Sequence, residues 1–189
     1  MTEEAGRIPL LERDQVPPEI GVLYDALLQQ RGAVPNMFKT VAQAPALALG
    51  FAALLNPLLS DGALPGWYKE LVATRMSVLQ DSAYAVAGHS LSARQKGATE
   101  EHIVAVKADF ESGPFTEAEK LGLRCADRLH HSAREIDDTF FAKLKAMYST
   151  PQIVELIATA SVFEFFPRFV DALRIPLTPA PKNASSGQI

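Results

Sequence analysis

The stretch "LPGWYKELVATRMSVLQDSAYAVAGHSLSARQKGATEEHIVAV", Leu64 to Val106, reads as three helices in succession. Leu64, Trp67, Leu71, Thr74 and Val78 recur at helical spacing, which gives the first helix one apolar face. Asp81 or Ser82 then stands where a helix cap is expected, Gly97 stands where that second helix stops, and Thr99 caps the third. The first two helices are joined by a very short turn, and neighbours so connected must pack side by side.

The same periodicity extends in both directions. Upstream, "PPEIGVLYDALLQQRG" starts with prolines in its first turn, stops at Gly32 and places Ile20, Leu23, Leu27 and Leu28 on one face. A short piece, "PNMFKTVAQA", leads to the strongly apolar "PALALGFAALLNPLL", which Pro45 opens and which Pro57 is expected to kink or end. Downstream, "TEAEKLGLRCADRLHHS" opens with Thr116 and Glu119 at capping-box spacing, and "DDTFFAKLKAMY" is a short amphipathic helix. In "STPQIVELIATASVFEFFPRFVDALRI", Thr150 is the expected cap, Pro151 the first helical residue, and the helix is apolar on most sides. Strand signals are nearly absent. The expected fold is all-α with about eight helices, one domain over residues 1–175 and a disordered tail over 176–189.

Composition narrows the function classes. Eighteen basic against 22 acidic side chains give a net charge of −4 with no clustered basic face, which speaks against a nucleic-acid partner. A chain of 189 residues can bury about 70% of its unfolded surface, enough for a core of its own. Charge or proline interrupts every apolar stretch before the ~20 residues that a membrane span needs. The N-terminus, "MTEEAGRIPLLERDQVPPEI", places acids where a signal peptide has a basic end, so the expected location is cytoplasmic with no membrane partner. A single cysteine, Cys125, excludes an intramolecular disulfide. The sequence has no metal-ligand cluster and no Gly-rich phosphate loop, so no metal or cofactor is expected. A last helix apolar all round is either central or covered by a second copy, and a homo-oligomer is expected.

Three polar residues lie on otherwise apolar helices: Glu70, His89 and Arg168. Ser82, Ala85 and His89 are offset by three and four residues and share one stripe, which Glu70 on the preceding helix can face. A carboxylate beside a buried imidazole orients the ring for general acid/base work. Plainer readings exist for each residue. Glu70 can pair with Arg75 at the surface, Arg168 with Glu164 or Asp171, and a lone histidine is often structural. Ser82 suits an N-cap better than a nucleophile, since two helical turns, about 10 Å, separate it from His89. His102, His130 and His131 lie among charged residues and read as surface groups.

The Leu64–Val106 block resembles the core of the carboxymuconolactone decarboxylase-like family, which includes the alkylhydroperoxidase D (AhpD-like) proteins. The likeness extends upstream over "RGAVPNMFKTVAQAPAL" and, more loosely, downstream over "VELIATASVFEFFPRFVDAL". The family pattern is a Glu, a Cys twelve residues on, a second Cys three later and a His four after that. Here those places hold Glu70, Ser82, Ala85 and His89.

The resemblance implies an AhpD-like helical bundle that forms trimers or hexamers. In the redox relatives the two cysteines form the catalytic disulfide, and Glu and His relay protons to it. Without those cysteines, dithiol peroxidase turnover is not expected. What the resemblance leaves is a pocket with Glu70, Tyr84 and His89, closed by apolar residues such as Trp67, Met37, Phe38 and Phe163. The expected function is a cofactor-free decarboxylase, lyase or isomerase on a small organic acid or lactone. In it His89 shuttles the proton, Glu70 holds its tautomer, Tyr84 donates a hydrogen bond, and Arg168, Trp67 and Ser82 contact the substrate. A peroxidase-type activity and a non-catalytic scaffold oligomer are the alternatives.

Overall fold

The computed structural model describes residues 6–179. Among them nine α-helices and two short 3-10 helices follow one another without a strand, so the all-α expectation holds with one helix more than counted. The chain forms two compact units, one of residues 56–169 and one made of the segments before and after it.

In the outer unit, α1 (Pro18–Arg31) opens with Pro18, whose missing N–H is harmless in a first turn, and closes at Gly32 with φ 74°. Ile20, Tyr24 and Leu27 are buried whereas Leu28 is 53% exposed, so the buried stripe runs through Tyr24 and not through Leu28 as the spacing suggested. The Tyr24 hydroxyl donates to the Leu11 carbonyl at 3.1 Å. On α2 (Asn36–Val41) the Asn36 amide donates to the carbonyls of Pro176 and Leu177, each at 3.1 Å. Those two residues of the expected tail are thus held by defined bonds, and residues 180–189 lie outside the described ones. Helix α3 (Pro45–Leu59) continues through Pro57 and stops two residues later. The proline neither ends it on the spot nor opens a gap in the assigned helix.

The unit of residues 56–169 is organised around α4 (Gly66–Leu79), of whose 14 residues ten are buried. Its hydroxyls are satisfied along the helix itself: Thr74 donates to the Glu70 carbonyl at 2.8 Å and Ser77 to that of Ala73 at 2.7 Å. Helices α5 (Ala83–Gln95), α6 (Glu100–Lys107) and α7 (Glu117–His131) pack on it. Thr99 caps α6 and Thr116 caps α7, each accepting from the backbone N–H three residues on. Asp81 at φ 54° makes the tight link from α4 to α5, a left-handed conformation that aspartate tolerates better than most residues.

Beyond α8 (Asp138–Met147), the long α9 (Thr150–Ala172) starts at Thr150 itself, one residue earlier than expected, and carries Pro167 inside it. Glu155 of α9 accepts from the backbone N–H of Ala63 at 2.8 Å and of Leu64 at 3.0 Å, and from the Lys69 ammonium at 3.0 Å. Lys69 is fully buried, so Glu155 is its counter-charge. At Gly122 on α7 a Cβ would lie 2.2 Å from the Tyr68 hydroxyl and 2.8 Å from that of Tyr148. The bare glycine lets both tyrosines reach carbonyls of α7's first turn: Tyr68 donates to Glu119 at 2.7 Å and Tyr148 to Ala118 at 2.5 Å.

Two stability predictions follow from these contacts. Gly122→Ala is expected to cost about 2 kcal/mol or more in urea unfolding, because two buried phenols must move. For Glu155, burial pushes the carboxyl up, but the Leu64 and Ala63 N–H groups and Lys69 outweigh it and hold it below its ordinary 4.5. A depressed folded value stabilises above the unfolded value and is lost as pH falls through the folded one. Glu155→Gln is therefore expected to cost about 3 kcal/mol at pH 7, with the gap to wild type closing as pH drops below 4.5. Thermal unfolding of both proteins from pH 7 to pH 3 checks it.

Candidate active site

The α4 to α5 turn brings Glu70 and His89 together. His89 Nδ1 lies 2.7 Å from Glu70 Oε2, with the Glu70 side chain fully buried and the His89 side chain 15% exposed. Two further donors converge on the other oxygen. Ser92 Oγ donates to Glu70 Oε1 at 2.7 Å and Lys96 Nζ to the same atom at 2.6 Å. Lys96 also donates to the Leu59 carbonyl at 2.8 Å. A carboxylate receiving an ammonium and a hydroxyl is in its acceptor-only, ionised form, so the imidazole proton on Nδ1 faces it. His89 Nε2, on the other side of the ring, makes no hydrogen bond among the described residues. The Phe163 ring of α9 stands edge-on to the imidazole with centroids 4.4 Å apart.

Each remaining candidate has its own place in the fold. Ala85 and Ser82 are buried on the α5 stripe ahead of His89. Ser82 occupies the N-cap position, yet its side chain makes no capping bond. Tyr84 is half-buried, but five residues, about 500° of helical rotation, turn it off the stripe that carries His89. Trp67 packs instead on Tyr68 and His102, at centroid distances of 5.8 and 5.2 Å. Arg168 pairs with Glu164 at 2.9 Å, one of the two partners its spacing allowed, and leans on Gln80 Oε1 at 3.3 Å. Its side chain is 70% exposed. Met37 and Phe38 are buried residues of the outer unit.

Two histidines read as solvated surface groups are not. His102 is half-buried against Trp67 and Phe115, and His130 Nδ1 lies 2.5 Å from Glu164 Oε1. His131 is exposed as expected. The plain alternative for Glu70 also fails: Arg75 is taken by Asp127, at 2.6 and 2.9 Å. Ser92 and Lys96 are the site residues that sequence reasoning missed. Their signal was present, since 85, 89, 92 and 96 follow one another at steps of four, three and four on a single face.

A cleft of about 650 Å³ lies elsewhere, lined by Arg75, Phe110, Arg124, Arg128 and Phe140 among others, and holds none of the site residues. Its arginines are committed to Asp127, Glu111 and the Glu135 carbonyl. Among the described residues no group of three or more metal-ligating side chains forms, and no helix is long and apolar enough to cross a membrane.

This arrangement of helices is the AhpD-like fold. A peroxidase-related protein of Ralstonia eutropha JMP134 with an AhpD core superimposes with a TM-score of 0.83 at 20% identity, over 90% of this chain and 92% of that one. A peroxidase-related protein of Silicibacter sp. TM1040 gives 0.84 at 19%, over 94% and 93%. The debrominase Bmp8, in an alanine-for-cysteine variant complexed with 2,3,4-tribromopyrrole, gives 0.82 at 22%, over 95% of each chain. No curated protein matches the chain by sequence. Residues 45–128 match the model of the carboxymuconolactone decarboxylase family.

The single thiol is remote from redox work by its own chemistry. Burial pushes Cys125 up to about 11, with Arg128 drawing it partly back, so almost none is thiolate at neutral pH. Native protein is expected to react with a disulfide reagent at pH 7.5 at least ~100-fold more slowly than the unfolded chain. Stopped-flow absorbance with and without urea measures the ratio, and equal rates would show Cys125 to be open and reactive.

Proposed function

We propose that this protein is a cofactor-free acid/base enzyme acting on a small organic acid, lactone or related enolisable compound, with His89 as the proton carrier. The observation that carries the reading is the Glu70–His89 contact of 2.7 Å, which fixes Nδ1 on the buried side and leaves Nε2 for a substrate. His89 Nε2 takes a proton from the substrate, the imidazolium so formed is held by the Glu70 carboxylate and exchanges its Nε2 proton with solvent, and a proton is then returned to carbon at the same or another position. Phe163 contributes an apolar wall that suits a compact, partly apolar molecule. Arg168, with most of its side chain exposed, is the candidate on α9 for a substrate carboxylate.

The peroxidase chemistry in two of the neighbours' names needs thiols that positions 82 and 85 of this chain do not supply. The halogenated pyrrole bound by the third is a planar, proton-exchanging ring, and it supports testing small aromatic N–H and O–H compounds beside the lactones.

Deuterium exchange gives a test that requires no knowledge of the full reaction. Incubating the protein in D2O with a panel of small lactones, unsaturated acids and pyrroles is expected to label at least one of them at carbon, as read by proton NMR. His89→Ala is expected to slow that labelling by 10²–10⁴-fold, the usual contribution of a positioned acid/base group. Labelling that survives the substitution unchanged would sink the assignment.

A further inference from the structure

Lys96 is part of the site but has no role in the proton transfer just described. It is the C-cap residue of α5, followed by Gly97 at φ 108°, and its side chain reaches Glu70 on α4. The ammonium is fixed at two points, 2.6 Å from Glu70 Oε1 and 2.8 Å from the Leu59 carbonyl. Its side chain is 29% exposed while that of Glu70 is fully buried, so Lys96 lies between the carboxylate and solvent.

The charges decide what this contact does. A buried carboxylate without a cation either takes up a proton or draws one onto a neighbour. Three elements contribute the groups whose contacts define the cluster. From α4 comes Glu70, from α5 come His89, Ser92 and Lys96, and from α9 the uncharged edge of Phe163. The charged residues next along α9, Glu164 and Arg168, are bound to His130, to each other and to Gln80. Lys96 brings a permanent positive charge into direct contact with Glu70. Without it, the group best placed to supply a positive charge would be His89, and a doubly protonated ring has no lone pair on Nε2.

We propose that Lys96 is a positioning residue that sets the charge of the pair: by neutralising Glu70 it leaves His89 with one proton, on Nδ1, and so makes Nε2 a base toward the substrate. The proposal rests on the acid/base reading of Glu70 and His89 and adds a direction to it, since the first transfer runs from substrate to protein. A purely structural lysine would hold α5 against α4 equally well without affecting the protonation of the imidazole.

The test is 15N and 13C NMR of the full chain, without ligand, for wild type, Lys96→Met, Lys96→Arg and Ser92→Ala across pH 5 to 9. In Lys96→Met the midpoint of proton uptake by the pair is expected to rise by about one pH unit or more, a tenfold gain in proton affinity. The proton counts whether it settles on His89 or on Glu70, because the two share it, and the imidazole 15N and carboxyl 13C signals together report both. Lys96→Arg is expected to stay near wild type, and Ser92→Ala to move little, since it removes a hydrogen bond and no charge.

A midpoint in Lys96→Met equal to that of wild type, or an equal rise in Lys96→Arg, would overturn the proposal. If Lys96→Met does not fold, wild type decides. A ring protonated on Nδ1 alone at pH 7.5 is the expected result, and a doubly protonated ring refutes it. A failure to find any substrate would count against the acid/base reading and leave this charge measurement intact.

Discussion

Glu70 places a carboxylate in the middle of a helix that is covered on nearly every side, and a charge there is tolerated only if donors meet it. Three donors that meet it come from positions 89, 92 and 96, one face of α5 and its C-cap. The requirement therefore fixes the rotation of α5 about its axis as well as its distance from α4. It also explains the abrupt link between the two helices: Asp81 in a left-handed conformation turns the chain within a few residues, so that the second helix can run back past the carboxylate. Chemistry and architecture are thus inseparable at this point. A change at Glu70 would leave an unpaired ammonium and an unanchored imidazole, and a loss of activity there would have to be separated from a loss of packing.

The neighbouring residue extends the same logic in another direction. Lys69 and Glu70 are successive residues of α4, turned about 100° apart, and each is fully buried and paired to a different element. Lys69 meets Glu155 of α9, which in turn closes the free N–H groups of Ala63 and Leu64 just ahead of α4. Glu70 meets α5. One dipeptide thereby ties the central helix to two others by ionic contacts whose partners lie 86 and at most 26 residues away in sequence. On the α9 side the tie also sets the register that brings Phe163, two turns after Glu155, against His89.

Much of the fold was legible because its signals are local. Thr99, Thr116 with Glu119, and Gly32 mark helix ends where the structure has them, since a cap satisfies backbone groups within its own turn. Helical spacing also sufficed to propose that Glu70 faces His89. What was not legible depends on distant partners. Lys69 and Lys96 look solvated because lysine usually is, and only the carboxylates they meet reverse that expectation. His130 and His102 went the same way, one to Glu164 on α9 and the other between two aromatic rings. Pro57 and Pro167 were harder still. Whether a proline interrupts a helix depends on whether the freed carbonyl finds another donor, which spacing does not reveal.

The α5 stripe bears on what kind of reaction the site can host. Ala85 lies one turn before His89, at the place where the redox pattern has its second cysteine, and it offers a methyl group to the cluster. Ser82, two turns away, is too far along the axis for His89 to take its proton directly. The imidazole thus has a buried carboxylate behind it, and positions 82 and 85 place no thiol or hydroxyl within its direct reach. On the acid/base reading this absence is consistent with the rest of the cluster. A neutral Glu70–Lys96 pair is arranged to hold a proton on His89 and release it, whereas a covalent intermediate would need an attacking atom that positions 82 and 85 do not place within reach. On that reading, any nucleophile in the reaction arrives with the substrate or as water, and the protein's own part is to move protons.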